Sequence, residues 1–253
     1  MVYGIIFGCI VLSLLFIYML LQAFENNLEY VSMTFPEFPK EVGKLSVFFI
    51  SDIHRRKINS TMIEQVKGKV DIVIIAGDLT EKGVPLSRVQ ENVIILRKIA
   101  PVVFTWGNND YEVNQEKFQE LLKKSGVILL KNEIFYMNHN NIALIGLDDV
   151  TTQEVPSLES LLEDIEPSSF QILISHNPSV MDMLPDNHRL SLVLSGHTHG
   201  GQIRILGFGR YKKGGIEEKK GCKLLISNGY GTTLIPLRLG AKPETHLITL
   251  KPR

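Results

Sequence analysis

The stretch SGHTHGGQ, from Ser195 to Gln202, places two histidines one residue apart directly after the apolar run LSLVL. If that run is a buried strand, side chains alternate along it, and its end delivers His197 and His199 to one side, where both rings can converge on a point. A histidine pair by itself fits a solvated turn equally well. The other apolar runs give it weight by how they end: LSVFFI in Ser51-Asp52-Ile53-His54, DIVIIAG in Asp78, PVVFTWG in Asn108-Asn109-Asp110, and FQILIS in His176. Taken singly, each residue has an ordinary use, Asp78 capping a turn or Asn108 occupying a left-handed turn position. Taken together they mark one place, because in open α/β sheets the ligand crevice lies outside the carboxyl ends of the strands.

Asp52, His54, Asp78, Asn108, His176, His197 and His199 are carboxylate, amide and imidazole donors, a set that suits borderline divalent ions such as Mn²⁺, Fe²⁺ or Zn²⁺. Seven ligands exceed what one such ion with an open position can use. Two divalent metal ions about 3.5 to 4 Å apart, sharing one carboxylate and a hydroxide, would use them all and favour in-line displacement at phosphorus. The only cysteines are Cys9, in the apolar N-terminus, and Cys222. That count excludes a disulfide framework and a cysteine-rich zinc site. Lys plus Arg and Asp plus Glu both number 27, so no broad positive field points to nucleic acid.

Positioning these residues requires a sheet, and the apolar runs LSVFFI, DIVIIAG, PVVFTWG, GVILL, IALIGL, FQILIS, LSLVLSG and KLLISNG provide the strands. Helical patterns such as LSRVQENVIILRKI and NQEKFQELLKKSG separate several of them, which predicts an α/β domain. Runs that are apolar on both faces need cover on both sides, and the late ones lack long intervening helices, so a second sheet packed on the first is expected. After the histidine pair, QIRIL reads as a further strand. Ahead of the domain, Val2 to Phe24 carries no charged side chain and is long enough to span a bilayer as a helix. It lacks the basic start and small-residue cleavage site of a removable signal, so residues 1–24 read as an uncleaved single-pass membrane anchor. Only the terminal amine, Lys40 and Lys44 lie near it, which leaves the side of the membrane unassigned. Residues 25–44 read as a connector with a short edge strand at Leu28 to Met33, and residues 45–253 as the catalytic domain.

The ordered series DIH, GD, GNND, a lone His and GHTH resembles the calcineurin-like metallophosphoesterases, whose pattern is DxH, GD, GNH, H and GHxH. The tail, GGQIRILGFGRY and then SNGYGTTLIPLRLGAKPETHLITL, is similar to that of a membrane-associated bacterial branch of the family. This resemblance implies a four-layer α/β/β/α sandwich. It also implies Asp52, His54 and His199 on one metal, Asn108, His176 and His197 on the other, and Asp78 between them.

The one departure from the pattern is Asn109, which stands where the family has the histidine that assists the leaving group or the transition-state phosphate. An amide donates a hydrogen bond but cannot act as a general acid at neutral pH. A phosphate or pyrophosphate-type leaving group therefore suits the site better than an alkoxide. Arg55, Arg56 and Lys57, following the DIH motif, have two readings, as groups that neutralise substrate phosphate or as a solvated charge run. The expected function is membrane-anchored hydrolysis of a phosphoester, phosphodiester or pyrophosphate bond by attack of a metal-bridged hydroxide, on a phosphorylated small molecule or a lipid-linked substrate. The alternative is a catalytically weakened metal-containing protein that binds a phosphorylated ligand.

Overall fold

The computed structural model describes residues 1–139, 141–151 and 158–253. Two six-stranded sheets form its centre. The first runs β1 (Asn27–Phe35), β12 (Glu244–Pro252), β2 (Leu45–Ile50), β3 (Ile72–Ala76), β4 (Val102–Thr105) and β5 (Val127–Leu130). The second runs β10 (Gly215–Lys219), β11 (Cys222–Ile226), β9 (Leu192–Ser195), β8 (Phe170–Ile174), β7 (Ile142–Gly146) and β6 (Glu133–Met137). In the first sheet β2 to β5 are mutually parallel; in the second β7, β8, β9 and β11 are.

Alternation along these strands builds the layers. Val47 and Phe49 of β2, Ile72 and Ile74 of β3, and Val103 of β4 face the second sheet, meeting Leu144, Ile172, Ile174, Leu192 and Leu194 in one core. Their neighbours Phe48, Ile50, Val73, Ile75 and Phe104 point the other way, onto α2 (Ser60–Val66), α3 (Leu86–Arg97) and α4 (Gln115–Lys124). The outer face of the second sheet is covered through Ala143, Ile145, Leu173 and Val193 by α5 (Leu158–Glu163) and α6 (Val180–Met183). The result is the four-layer α/β/β/α sandwich. Helix α3 shows the spacing that makes it amphipathic: Val89, Asn92, Val93 and Leu96 are its buried residues, three and four apart. Asn59 and Asn114 cap α2 and α4 by accepting the backbone N–H of Met62 and Lys117.

One segment extends the sequence expectation and another departs from it. The edge strand expected at Leu28 to Met33 is present and runs longer, paired in parallel with β12 from Asn27 to Phe35. QIRIL is not a strand. Gln202 and Leu206 adopt φ of 52° and 51°, and the chain turns back on itself with Ile205 bridging Phe208 and Ile203 bridging Leu239. Helix α1 (Val2–Ala23) projects from the body with only Gln22 and Ala23 buried.

Candidate active site

All seven expected ligands lie beyond the carboxyl ends of parallel strands: β2 leads to Asp52 and His54, β3 to Asp78, β4 to Asn108, β8 to His176, and β9 to His197 and His199. The sandwich brings these five ends to one edge, where Asp52, His54 and His199 form one group with donor atoms within 4.8 Å of one another, and Asp52, Asp78 and His176 another. His54 Nε2 lies 3.1 Å from His199 Nε2 and 3.7 Å from Asp78 Oδ2. His176 Nε2 lies 3.2 Å from the same Asp78 oxygen and 3.2 Å from His197 Nδ1. Asp78 thus stands between an imidazole pair on each side.

The histidine pair after β9 is placed differently from what strand alternation suggests. The strand stops at Ser195, and His197 and His199 adopt φ of 67° and 50°. Turn geometry therefore sends His197 toward His176 and His199 toward His54. Gly196 sits where its neighbours leave no room for a side chain, since a Cβ there would overlap the Asp52 carboxylate and Ser51 Oγ. Gly107 likewise packs its Cα against Asp78, where a Cβ would overlap the Asp78 backbone and carboxylate.

Contacts on the outer side of the cluster hold two of the rings. His54 Nδ1 is 2.9 Å from Glu81 Oε2 and His176 Nδ1 is 2.9 Å from the Ala76 carbonyl. A neutral ring held through Nδ1 in this way would turn its Nε2 lone pair to the site, the arrangement that orients metal-binding imidazoles. Asn108 donates through Nδ2 to Asn109 Oδ1 at 3.0 Å, while its own Oδ1 is buried with no hydrogen-bond partner. A buried acceptor without a donor is costly unless something cationic meets it. The donor chemistry and this bare oxygen fit a divalent ion.

Charge divides the imidazoles. Burial opposes the charged form of His176, but Asp78 beside it wins and raises the imidazole pKa to about 10. Burial also opposes ionisation of Asp78, which His176 and His54 overcome, keeping its pKa below the ordinary value. His199 is pushed well down, first by burial and then by His54 and Arg238. His199 is thus a neutral imidazole beside ionised carboxylates, the protonation state that metal binding requires, whereas His176 would give up its proton to become a ligand.

Four groups that hold this geometry have no role assigned from the sequence. Asp110 is fully buried and accepts the backbone N–H groups of Asp78, Thr80 and Gly107 at 2.8, 3.0 and 2.9 Å. Burial and the Asp78 charge push its pKa up to about 8. Glu81, the partner of His54, lies three residues past Asp78. Ser51 donates to Asp52 Oδ2 at 2.5 Å. Arg238, fully buried, donates to the carbonyls of His199, Asn228, Gly231 and Ala241 and its Nη2 is 3.2 Å from His199 Nδ1. Asp110 stands inside the GNND motif and could have been noticed there. Arg238, in PLRLG, carries no local signal.

Asn109, Arg55 and Arg56 are at the margin. The Asn109 side chain bridges Asn108 and Glu112, and its backbone N–H donates to Asp78 Oδ1 at 2.8 Å. Arg55 is exposed and paired with Glu81. Arg56 takes a structural place instead of a substrate-binding one: it is buried, its terminal nitrogens donate to Phe24 O, Glu25 O, Asn26 Oδ1 and Tyr230 O, and its guanidinium stacks 3.8 Å from the Tyr230 ring centre. Those terminal nitrogens are committed to joining the end of α1 to the domain. Lys57 pairs on the surface with Glu91 at 2.9 Å.

The family model for calcineurin-like phosphoesterases matches residues 45–201. The Bacillus subtilis (strain 168) protein YpbG is 46% identical over 223 residues, covering 86% of this chain and 85% of its own length. Phosphodiesterase YaeI of Escherichia coli (strain K12) is 25% identical over 237 residues, with 84% of each chain covered. Metallophosphoesterase YkoQ of Bacillus subtilis (strain 168) is 26% identical over 223 residues, covering 79% of this chain and 82% of its own. Among solved structures, a 5'-nucleotidase precursor from Thermus thermophilus aligns with a TM-score of 0.53 at 13% identity, over 81% of this chain and 55% of that one. That likeness is one of fold.

Proposed function

Since this chain belongs to the calcineurin-like phosphoesterase family and is a metallophosphoesterase, we propose that it is membrane-anchored and hydrolyses a phosphoester, phosphodiester or pyrophosphate bond at a two-metal site. The observation that supports this reading most is Asp78 between the pairs His54/His199 and His176/His197, with ring nitrogens crowded to within 3.1–3.7 Å of one another and of its carboxylate and the Asn108 Oδ1 bare beside them. Asp52, His54 and His199 would hold one ion, Asn108, His176 and His197 the other, and Asp78 both. Two such ions, when bound, supply an activated water and neutralise the phosphoryl oxygens.

The chain's own residues do the rest. Asp110 holds the turn at Asp78 through the amides of Asp78, Thr80 and Gly107, the Ala76 carbonyl anchors His176 through Nδ1, and Glu81 faces His54 Nδ1 at 2.9 Å. Asn109 can donate a hydrogen bond to a leaving oxygen but no proton, which favours phosphate and other stable anions as leaving groups. Arg55, exposed at the rim and paired with Glu81, would leave that carboxylate to meet a substrate phosphate.

Anchoring rests on α1, an apolar helix of 22 residues with none of its most hydrophobic stretch buried. At 1.5 Å per residue it is about 33 Å long, a bilayer's hydrocarbon thickness. A substrate at the membrane, such as a lipid-linked or nucleotide-linked phosphate, fits that placement. The test is turnover by the full-length protein in detergent, stripped and reloaded with Mn²⁺, on an aryl phosphodiester and a nucleotide-sugar panel, together with elemental analysis. The expected result is about two metal equivalents per chain and turnover that Asp78→Ala abolishes along with metal at both positions. Failure to bind any transition metal after reconstitution would overturn the two-metal reading. Full loading with no turnover would favour a phosphoryl-binding protein instead.

A further inference from the structure

The segments that frame the mouth of the site end in side chains that water does not favour. The turn from Ile205 to Phe208 closes on two backbone hydrogen bonds of 2.8 and 2.9 Å and leaves Leu206 92% and Phe208 82% exposed. On a neighbouring turn Leu234 is 94% exposed. Gln202, three residues past His199, joins the two turns: its amide donates to the carbonyls of Thr233 and Ile235 and accepts the Thr233 N–H. Large apolar residues gathered at adjoining tips mark an interaction surface.

What covers this surface follows from what it adjoins. The Arg238 N–H donates to the Met19 carbonyl at 3.1 Å and the Gly240 N–H to Gln22 Oε1 at 3.1 Å. The last turn of α1 is therefore fastened to the strand of chain that follows Leu234, and Ile203 bridges Leu239 and Gly240 from the other turn. Arg210 and Lys213 follow Phe208 closely, with Lys212 between them paired to Glu217, and apolar tips flanked by cations suit an interface with anionic headgroups. A cavity of about 250 Å³ lies between His197 and His199 on one side and Tyr211, Leu234 and Ile235 on the other. The histidines thus open onto the same rim.

We infer that the Ile205–Phe208 turn and Leu234 enter the bilayer interface beside α1, so that the site opens at the headgroup layer and takes the phosphate group of a membrane amphiphile. The inference rests on α1 spanning the membrane, as proposed above. Two tryptophan probes separate the claims, Leu12→Trp within α1 and Phe208→Trp on the turn, each in the full-length chain reconstituted in phosphatidylcholine/phosphatidylglycerol vesicles containing brominated lipid. Native Trp106 is 1% exposed within the core and gives a constant background. Both probes should be quenched by the brominated lipid, the Phe208 probe best with bromine near the headgroup. Quenching at position 12 without quenching at 208 overturns this inference alone, including the case where position 208 is blue-shifted by a protein partner or a second copy. Quenching at neither overturns the spanning reading and this one with it. As a second measurement, the double variant Leu206→Ser/Phe208→Ser should keep its turnover of a soluble aryl phosphodiester and lose at least about tenfold on a vesicle-embedded one, since two large apolar side chains are removed. Equal turnover on both by the variant would overturn the inference.

Discussion

Asp52, His54, Asp78, His197 and His199 all occupy positive φ, between 50° and 67°, a conformation that costs a non-glycine residue about 1–3 kcal/mol and persists only where the surroundings impose it. The imposing contacts can be named: Asp110 on the amides of Asp78 and Thr80, and Asp52 accepting the His197 N–H at 3.0 Å. Asn109 belongs to the same supporting set, since it takes the Asn108 amide and so leaves Asn108 Oδ1 bare. Asn109→Ala should therefore weaken metal binding about 10 to 100-fold, the usual cost of losing a group that orients a ligand, as read by titration of the stripped protein with Mn²⁺. Asn109→His asks a different question. If the missing imidazole is what slows poor leaving groups, turnover of alkyl phosphodiesters should rise relative to aryl ones, within the roughly 10² to 10⁴-fold range that general acids contribute. An unchanged or lower alkyl-to-aryl ratio with metals intact would mean that the site already has its acid.

At the scale of elements, the site depends on strand ends packed so closely that glycine is the only residue that fits between them. Gly196→Ala places a methyl into the Asp52 carboxylate, so metal content and turnover should collapse together. Gly43, at φ 70° with nothing within 4 Å of its Cβ position, is the control: Gly43→Ala should cost about 1 kcal/mol through backbone strain and leave metal content alone. Arg238 acts between elements, tying the turn after β9 to the loop after β11 through four different carbonyls. Lysine lacks the planar fork that makes these bonds. Arg238→Lys should lower stability by about 2–3 kcal/mol through unsatisfied buried carbonyls, measured by chemical denaturation.

For the whole molecule, the join between helix and domain decides where the chain can be cut. Met19, Gln22 and Phe24 all make hydrogen bonds to the body, the last through Arg56. Deleting residues 2–16 should release a domain that is soluble, metal-loaded and as stable as the parent. Deleting residues 2–26 removes the partners of Arg56 and should give a domain that melts several degrees lower, in line with a loss of about 1–2 kcal/mol. The uncut protein should stay with membranes after high-salt and carbonate washing; its appearance in the soluble fraction would mean that α1 does not span.

The sequence alone determined the kinds of donor, the order in which they occur and their place at strand ends, because apolar runs and the polar residues that terminate them are local features of the chain. It also marked the apolar helix, since spanning length is a matter of composition. Which donors face one another was decided only in three dimensions. The split of His197 and His199 between two partners comes from left-handed turn residues, not from alternation, and sequence pattern does not reveal a positive φ at histidine. Arg56 resembles its neighbour Arg55 along the chain, yet one is spent on Phe24, Glu25 and Tyr230 while the other is exposed. Arg238 lies 39 residues from His199 along the chain, and β1 completes its sheet by pairing with the last strand. Such long-range pairings depend on how layers stack, and nothing within a short window of sequence encodes them.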